Sequence, residues 1–219
     1  MKSKNQFCTL PGLVNSVFSL LLFSILLFSV ISLTACSRAK LPALQQGDVI
    51  VAFGDSLTAG YGVDKKYSYP NVLADMTGLK VINEGVSGET TIQGLQRLAN
   101  VLEKYSPKLV ILLEGGNDVL QKVPELQIKA NLAKMIQIIQ NSGSAVLLVG
   151  VPEKKLFGSS LELYAELANE FNIPLEDDIV ANLMKRLSMK SDYVHFNQQG
   201  YQAMADAIYK QLQSSGAIN

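Results

Sequence analysis

From residue 48 onward, short apolar runs alternate with stretches of helical periodicity. Asp48–Phe53 is nearly unbroken in apolar residues and ends at Gly54; Val81-Ile82 stands before Asn83, Leu109–Leu113 before Glu114-Gly115-Gly116, and Ala145–Val149 before Gly150. Runs without polar alternation predict strands buried on both faces, as in a parallel sheet. Apolar positions three and four apart predict helices over Pro70–Thr77, Thr91–Tyr105 and Pro124–Asn141, the last with a stripe of Leu126, Ala130, Ala133, Ile136 and Ile139. A further helix is expected over Ser160–Phe171, a weaker fifth strand at Ile173-Pro174-Leu175, and a closing helix over Asn197–Leu212.

This alternation predicts an α/β fold with three layers, a five-stranded parallel sheet between two layers of helices. In such sheets ligands bind beyond the carboxyl ends of the strands. The segments just after the apolar runs are therefore where chemistry is expected.

The N-terminal part follows a different pattern. No charged residue occurs between Lys4 and Arg38, and Leu, Phe, Val, Ile and Ser fill Leu13–Leu33. Lys2 and Lys4 followed by an apolar run and then small residues match an export signal. The run is also long enough to serve as an uncleaved membrane anchor, since about 20 apolar residues span a bilayer. Ser37–Gly47, with Pro42 and Gln45-Gln46 and little periodicity, reads as a tether.

Composition narrows the classes. The chain has 219 residues, 48% hydrophobic and 17% charged, with 19 basic against 19 acidic side chains and one His. That fits one globular domain plus an appendage. The absence of a basic excess leaves nucleic acid without an electrostatic footprint. The two cysteines, Cys8 and Cys36, both lie in or beside the leader, and a lone His without an H-E-x-x-H pattern supplies no metal-ligand cluster. Neither a metal nor a nucleotide cofactor is expected, and the domain is expected to be monomeric.

Four polar segments follow the predicted elements. Gly54-Asp55-Ser56-Leu57-Thr58 puts a Ser on a tight turn, where it is equally suited to cap a helix; it is neither a P-loop nor a G-x-S-x-G elbow. Gly88 opens Gly88-Glu89-Thr90-Thr91 at a helix start, where a glycine N–H can face an oxyanion or simply make a turn. Gly115-Gly116-Asn117-Asp118 offers an amide donor, or an ordinary turn. Ser191-Asp192-Tyr193-Val194-His195 holds the lone His three residues from a carboxylate that can orient it.

Taken in order, these segments resemble the SGNH hydrolases, also called the GDSL esterase and lipase family, over essentially residues 47–215. The resemblance implies a flavodoxin-like sheet, Ser56 as nucleophile, His195 as base and Asp192 as its partner. It also implies oxyanion donors from the Ser56 N–H, Gly88 N–H and Asn117 amide. Within the family, Gly88-Glu89-Thr90-Thr91 and Gly115-Gly116-Asn117-Asp118 are most similar to the small bacterial lysophospholipase, arylesterase and thioesterase branch. Val119-Leu120-Gln121-Lys122 departs from the Gly- and Arg-containing stretch of many relatives, so loop mobility and acyl preference do not carry over. The role of Asp55, bracing the turn or facing solvent, is left open, and Asp177 and Asp178 are alternative acidic partners for His195.

Leu33-Thr34-Ala35-Cys36 resembles the lipobox of bacterial lipoproteins, which implies cleavage before Cys36 and a lipidated, palmitate-bearing N-terminus there. The expected organisation is a signal over residues 1–35, a lipid-anchored tether over 36–46 and the hydrolase domain over 47–219. The expected location is the cell envelope on the periplasmic side, with an uncleaved anchor or a soluble periplasmic protein as alternatives. The expected activity is hydrolysis of carboxylic esters, whether lysophospholipid, fatty acyl, aryl or thioester. A polysaccharide O-deacetylase with the same triad and a silent binding module are the alternatives. Leu120, Val123, Leu156 and Phe157 are candidates for an acyl groove, and Lys154 and Lys155 for contact with an anionic head group.

Overall fold

The computed structural model describes residues 39–153 and 160–219. The leader, Cys36, Lys154, Lys155, Leu156 and Phe157, to which the sequence reading gave roles, lie outside the described residues. Among the described residues no helix is long and apolar enough to cross a membrane.

Five strands form one parallel sheet: β1 (Val49–Gly54), β2 (Lys80–Gly85), β3 (Leu109–Leu113), β4 (Ala145–Val149) and β5 (Leu175–Glu176), in the order β2-β1-β3-β4-β5. The register sets Val51 beside Ile82 and Val110, and Ile111 beside Leu147. Every residue of β3 is buried, as are Ile50–Gly54 of β1. This burial on both faces explains why their sequences are unbroken apolar runs.

The helices are α1 (Ser56–Ala59), α2 (Tyr69–Thr77), α3 (Thr91–Tyr105), α4 (Gly116–Leu120), α5 (Glu125–Asn141), α6 (Glu162–Glu170), α7 (Ile179–Met184) and α8 (Gln198–Ser214). Crossovers between parallel strands are right-handed, so a reversal of direction along the sheet moves the helices to the other face. The chain steps one way from β1 to β2 and the other way from β2 through β3 and β4 to β5. This puts α2 on one face with α8, and α3 on the other with α5. The strand order reverses between β1 and β3, which opens a crevice at their carboxyl ends.

Three expectations are corrected. The buried stripe of α5 is Ile128, Leu132, Met135, Ile136 and Ile139, whereas Leu126 is 83% exposed. The helix sits turned from the face that counting from Leu126 implies, because Ile128 and Leu132 fill the space above the sheet. The fifth strand begins at Leu175, after Pro174: Ile173 is buried but unpaired in the sheet, and the Pro174 carbonyl accepts from Leu148 N. Finally, the stretch read as tether is docked from Leu41 onward. Leu41 is buried, its N–H donates to Ser215 O at 3.0 Å, and Leu44 N–H donates to Ala217 O at 2.8 Å.

Candidate active site

The end of β1 builds the centre of the crevice. Asp55 caps α1, its Oδ1 accepting the Leu57 N–H at 2.9 Å, so Ser56 is the first helical residue and is 8% exposed. Asp55 is itself buried. Burial, together with the charges of Glu89 and Asp118, raises its pKa from 3.8 to about 7 despite the Leu57 hydrogen bond. Of the two roles left open for Asp55, bracing the turn is the one the geometry shows.

The loop before α8 reaches the same point from the other end of the chain. His195 Nδ1 lies 2.8 Å from Asp192 Oδ2, and His195 Nε2 lies 3.0 Å from Ser56 Oγ. With the Nδ1 proton donated to the carboxylate, Nε2 is an acceptor for the Ser56 hydroxyl. Asp192 Oδ1 also accepts the N–H groups of Val194 at 2.9 Å and His195 at 2.8 Å. Desolvation alone would raise the Asp192 carboxyl, but these N–H groups and the imidazole outweigh it and hold its pKa at about 2. The Tyr61 ring leans on the imidazole, with centroids 4.3 Å apart.

Two further loops close the crevice. Gly88 takes a φ of 84°, a left-handed conformation that a side chain disfavours, and lines the same cleft as Ser56. Asn117, near the start of α4, donates its side-chain amide to the Glu89 carbonyl at 2.8 Å and also faces the cleft. One amide hydrogen is thereby engaged and fixes the direction of the other. Asp118 ties the two loops together by accepting the Thr91 N–H at 2.8 Å and the Thr91 hydroxyl at 2.6 Å. The carboxylate thus sits at the positive end of α3, where negative charge is stabilised.

The cleft has a volume of about 660 Å³, and Val119, Leu120, Val151, Val180, Ala181 and Met184 form its apolar wall. Leu120 lies there. Val123 does not: it packs against the core, because its N–H turns back to the Asp118 carbonyl at 2.9 Å and closes the end of α4. Asp177 bonds the Ser160 hydroxyl instead of the imidazole, and Asp178 stands at the start of α7. Among the described residues no group of His, Cys, Asp and Glu is arranged to hold a metal ion.

Sequence reasoning passed over the charged layer beneath this surface. Arg97 binds Glu89 through two hydrogen bonds, at 2.7 and 2.5 Å, and stacks 3.8 Å above the Phe53 ring. Glu114 is fully buried with neither oxygen hydrogen-bonded among the described residues, and burial, then the Asp55 and Glu89 carboxylates, push its pKa upward. Gly94 makes room for this layer: a side chain there would press on Met135, Glu114 and Phe53. The available signal was an Arg in line with Thr91 and Gly94, on the helix face that also carries Leu98 and Val101.

Comparison with known proteins gives a consistent answer. Residues 52–203 match the GDSL-like lipase/acylhydrolase family. The chain is 31% identical over 174 residues to the thioesterase 1/protease 1/lysophospholipase L1 of Escherichia coli strain K12, covering 76% of this chain and 84% of the relative. It is 29% identical over 181 residues to an arylesterase of Vibrio mimicus, covering 78% and 90%. The crystal structure of TesA superposes with a TM-score of 0.70 at 24% identity, over 77% of this chain and 99% of that one.

Proposed function

The chain belongs to the GDSL-like lipase/acylhydrolase family, and from that membership and the site geometry we propose that it is a serine esterase acting through an acyl-enzyme on Ser56. The observation that carries this reading is the line from Asp192 through His195 to Ser56, with both links at hydrogen-bond distance. The Ser56 hydroxyl gives its proton to His195 Nε2 as Oγ bonds to the ester carbonyl carbon. The tetrahedral oxyanion is met by the Ser56 N–H, the Gly88 N–H and the Asn117 amide. As the carbon–oxygen bond to the leaving group breaks, the imidazolium returns the proton to the departing alcohol. Water then attacks the acyl-enzyme, giving its proton to the same base, and the acid leaves as Ser56 is restored.

The substrate we propose is an ester with an acyl chain of several carbons, of the lysophospholipid, fatty acyl, aryl or thioester kind. The apolar wall of the cleft supports this, since each buried methylene contributes about 0.8 kcal/mol. The activities named for the Escherichia coli and Vibrio relatives point the same way. Hydrolysis of p-nitrophenyl esters of increasing chain length tests it. Rates that rise beyond acetate are expected; a maximum at acetate favours the O-deacetylase, and no turnover favours the silent binding module.

We further propose that Cys36 carries the lipid and that the domain works at the periplasmic face of a membrane. The support is the sequence Leu33-Thr34-Ala35-Cys36 after an uncharged apolar run. Two or more acyl chains anchor a protein firmly where one holds it marginally. Labelled palmitate is expected on the wild-type chain and not on Cys36→Ser. An unlabelled wild type overturns lipidation, and its fractionation then separates an uncleaved anchor from a soluble periplasmic protein.

A further inference from the structure

The three proposed oxyanion donors come from three loops, after β1, β2 and β3, and nothing in the triad fixes those loops relative to one another. Donors of this kind act only when held about 2.7–3.1 Å from the developing charge, within about 0.5 Å of the productive position. One side chain reaches the supports of all three. Arg97 Nη2 donates to the Glu84 carbonyl at 2.8 Å near the end of β2, and lies 3.5 Å from the Gly54 carbonyl at the end of β1, two residues before Ser56. The same nitrogen and Nε bind both oxygens of Glu89, the residue after Gly88. The Glu89 carbonyl in turn accepts the Asn117 amide at 2.8 Å.

The turn carrying Gly88 is held at both ends by this arrangement. Val86 N–H donates to Gly54 O at 2.8 Å, Glu89 N–H donates to Val86 O at 3.2 Å, and the Glu89 side chain is pinned by Arg97. Only 4% of the Glu89 side chain and 22% of the Arg97 side chain are exposed. An ion pair at such depth costs much of its attraction in desolvation, so it is a weak source of stability compared with an apolar pair of similar volume. What it supplies is direction: a planar fork with several fixed donors, which Lys cannot reproduce.

Building on the serine-esterase reading above, we propose that Arg97 and Glu89 are positioning residues for the oxyanion hole, a clamp that sets Gly88 and Asn117 against the Ser56 turn. Neither residue touches the reacting atoms. Both act through the donors, and much of their effect is therefore lost when a donor they orient has been removed.

The test is a double-mutant cycle on the full chain, reading the second-order rate of Ser56 labelling by a fluorophosphonate together with kcat, KM and thermal midpoint. Arg97→Lys, Arg97→Met and Glu89→Gln are each expected to slow labelling and kcat by about tenfold or more with KM nearly unchanged. In the Asn117→Ala background, Arg97→Lys is expected to cost less than about threefold, because the two changes damage one device. Full multiplication of the two losses, or labelling of folded Arg97→Lys and Glu89→Gln at the wild-type rate, overturns the clamp and leaves the esterase reading intact. A lowered midpoint with an unchanged labelling rate assigns the pair to stability alone and also overturns it. The three variants disturb the fork differently, so the loss of Arg97→Met to misfolding leaves the other two to decide. Failure of the wild type itself to label removes the esterase reading and the clamp with it.

Discussion

Ser56 and His195 are 139 positions apart in the chain, and their Oγ and Nε2 atoms are 3.0 Å apart in the fold. The distance is closed by the sheet: β1 delivers Ser56 to the crevice, and α8, packed beside α2, brings the loop before it to the same edge. Asp192 needs no such journey, since it shares that loop and is folded back onto the backbone of Val194 and His195. The following predictions come from this arrangement and its surroundings.

Asn117→Ala removes one proposed oxyanion donor and its half-buried hydrogen bond to the Glu89 carbonyl, but no residue of the apolar core. We expect kcat to fall by about 10²-fold or more, the scale for losing one such donor, with KM and cooperative unfolding little changed. Steady-state kinetics with a thermal melt checks this. A variant with near-full kcat contradicts the role.

Asp192→Ala leaves the imidazole without the carboxylate that sets its tautomer, and turnover should drop by roughly 10³-fold or more. Asp178→Ala, at the start of α7, should differ from wild type by less than about twofold. Equal losses in the two variants would reassign the acid.

Buried Asp55 links stability to pH. Its carboxyl titrates near 7 in the folded chain against 3.8 when unfolded, so between these values the native state holds a proton that the unfolded state releases. Stability contributed by the neutral group is therefore complete below about pH 4 and is lost as pH rises toward 7, at up to about 1.4 kcal/mol per pH unit. Chemical denaturation from pH 4 to 8 should show a shallower decline in Asp55→Asn than in wild type. Part of the decline should remain, because Glu114 is shifted in the same direction.

Leu120 lines the cleft while 42% exposed, so it can change without loss of the core. Leu120→Asp should weaken binding of long-chain esters by about tenfold, the worth of one apolar contact of about 1.5 kcal/mol, and leave acetate hydrolysis nearly unchanged. Equal effects on both chain lengths would move the acyl path elsewhere.

Much of this architecture was legible in the sequence, for physical reasons that also mark where legibility stops. The strands β3 and β4 were readable to their end residues because burial on both faces writes an unbroken apolar run. The start of α3 is marked in the sequence because Thr90 and Gln93 form a capping box there. The face of α5 was not, since Leu126 looks as apolar as Ile128 and only packing decides which is buried. Val123 was misplaced because a turn closed by its own backbone aims it at the core. Nothing in the spacing of Arg97 and Glu89 distinguishes them from ordinary charges of an amphipathic helix and the turn before it. Their partners are backbone carbonyls of β1 and β2 and each other, which no spacing in one sequence reveals.

The most direct measurement is labelling of the intact protein with a fluorophosphonate, followed by mass spectrometry of the modified peptide and repeated with Ser56→Ala. The account predicts one adduct, on the Ser56 hydroxyl, slowed strongly by removal of His195 and absent from Ser56→Ala. Labelling that persists in folded Ser56→Ala, or a wild-type protein that hydrolyses esters while Ser56 stays unmodified, would contradict it.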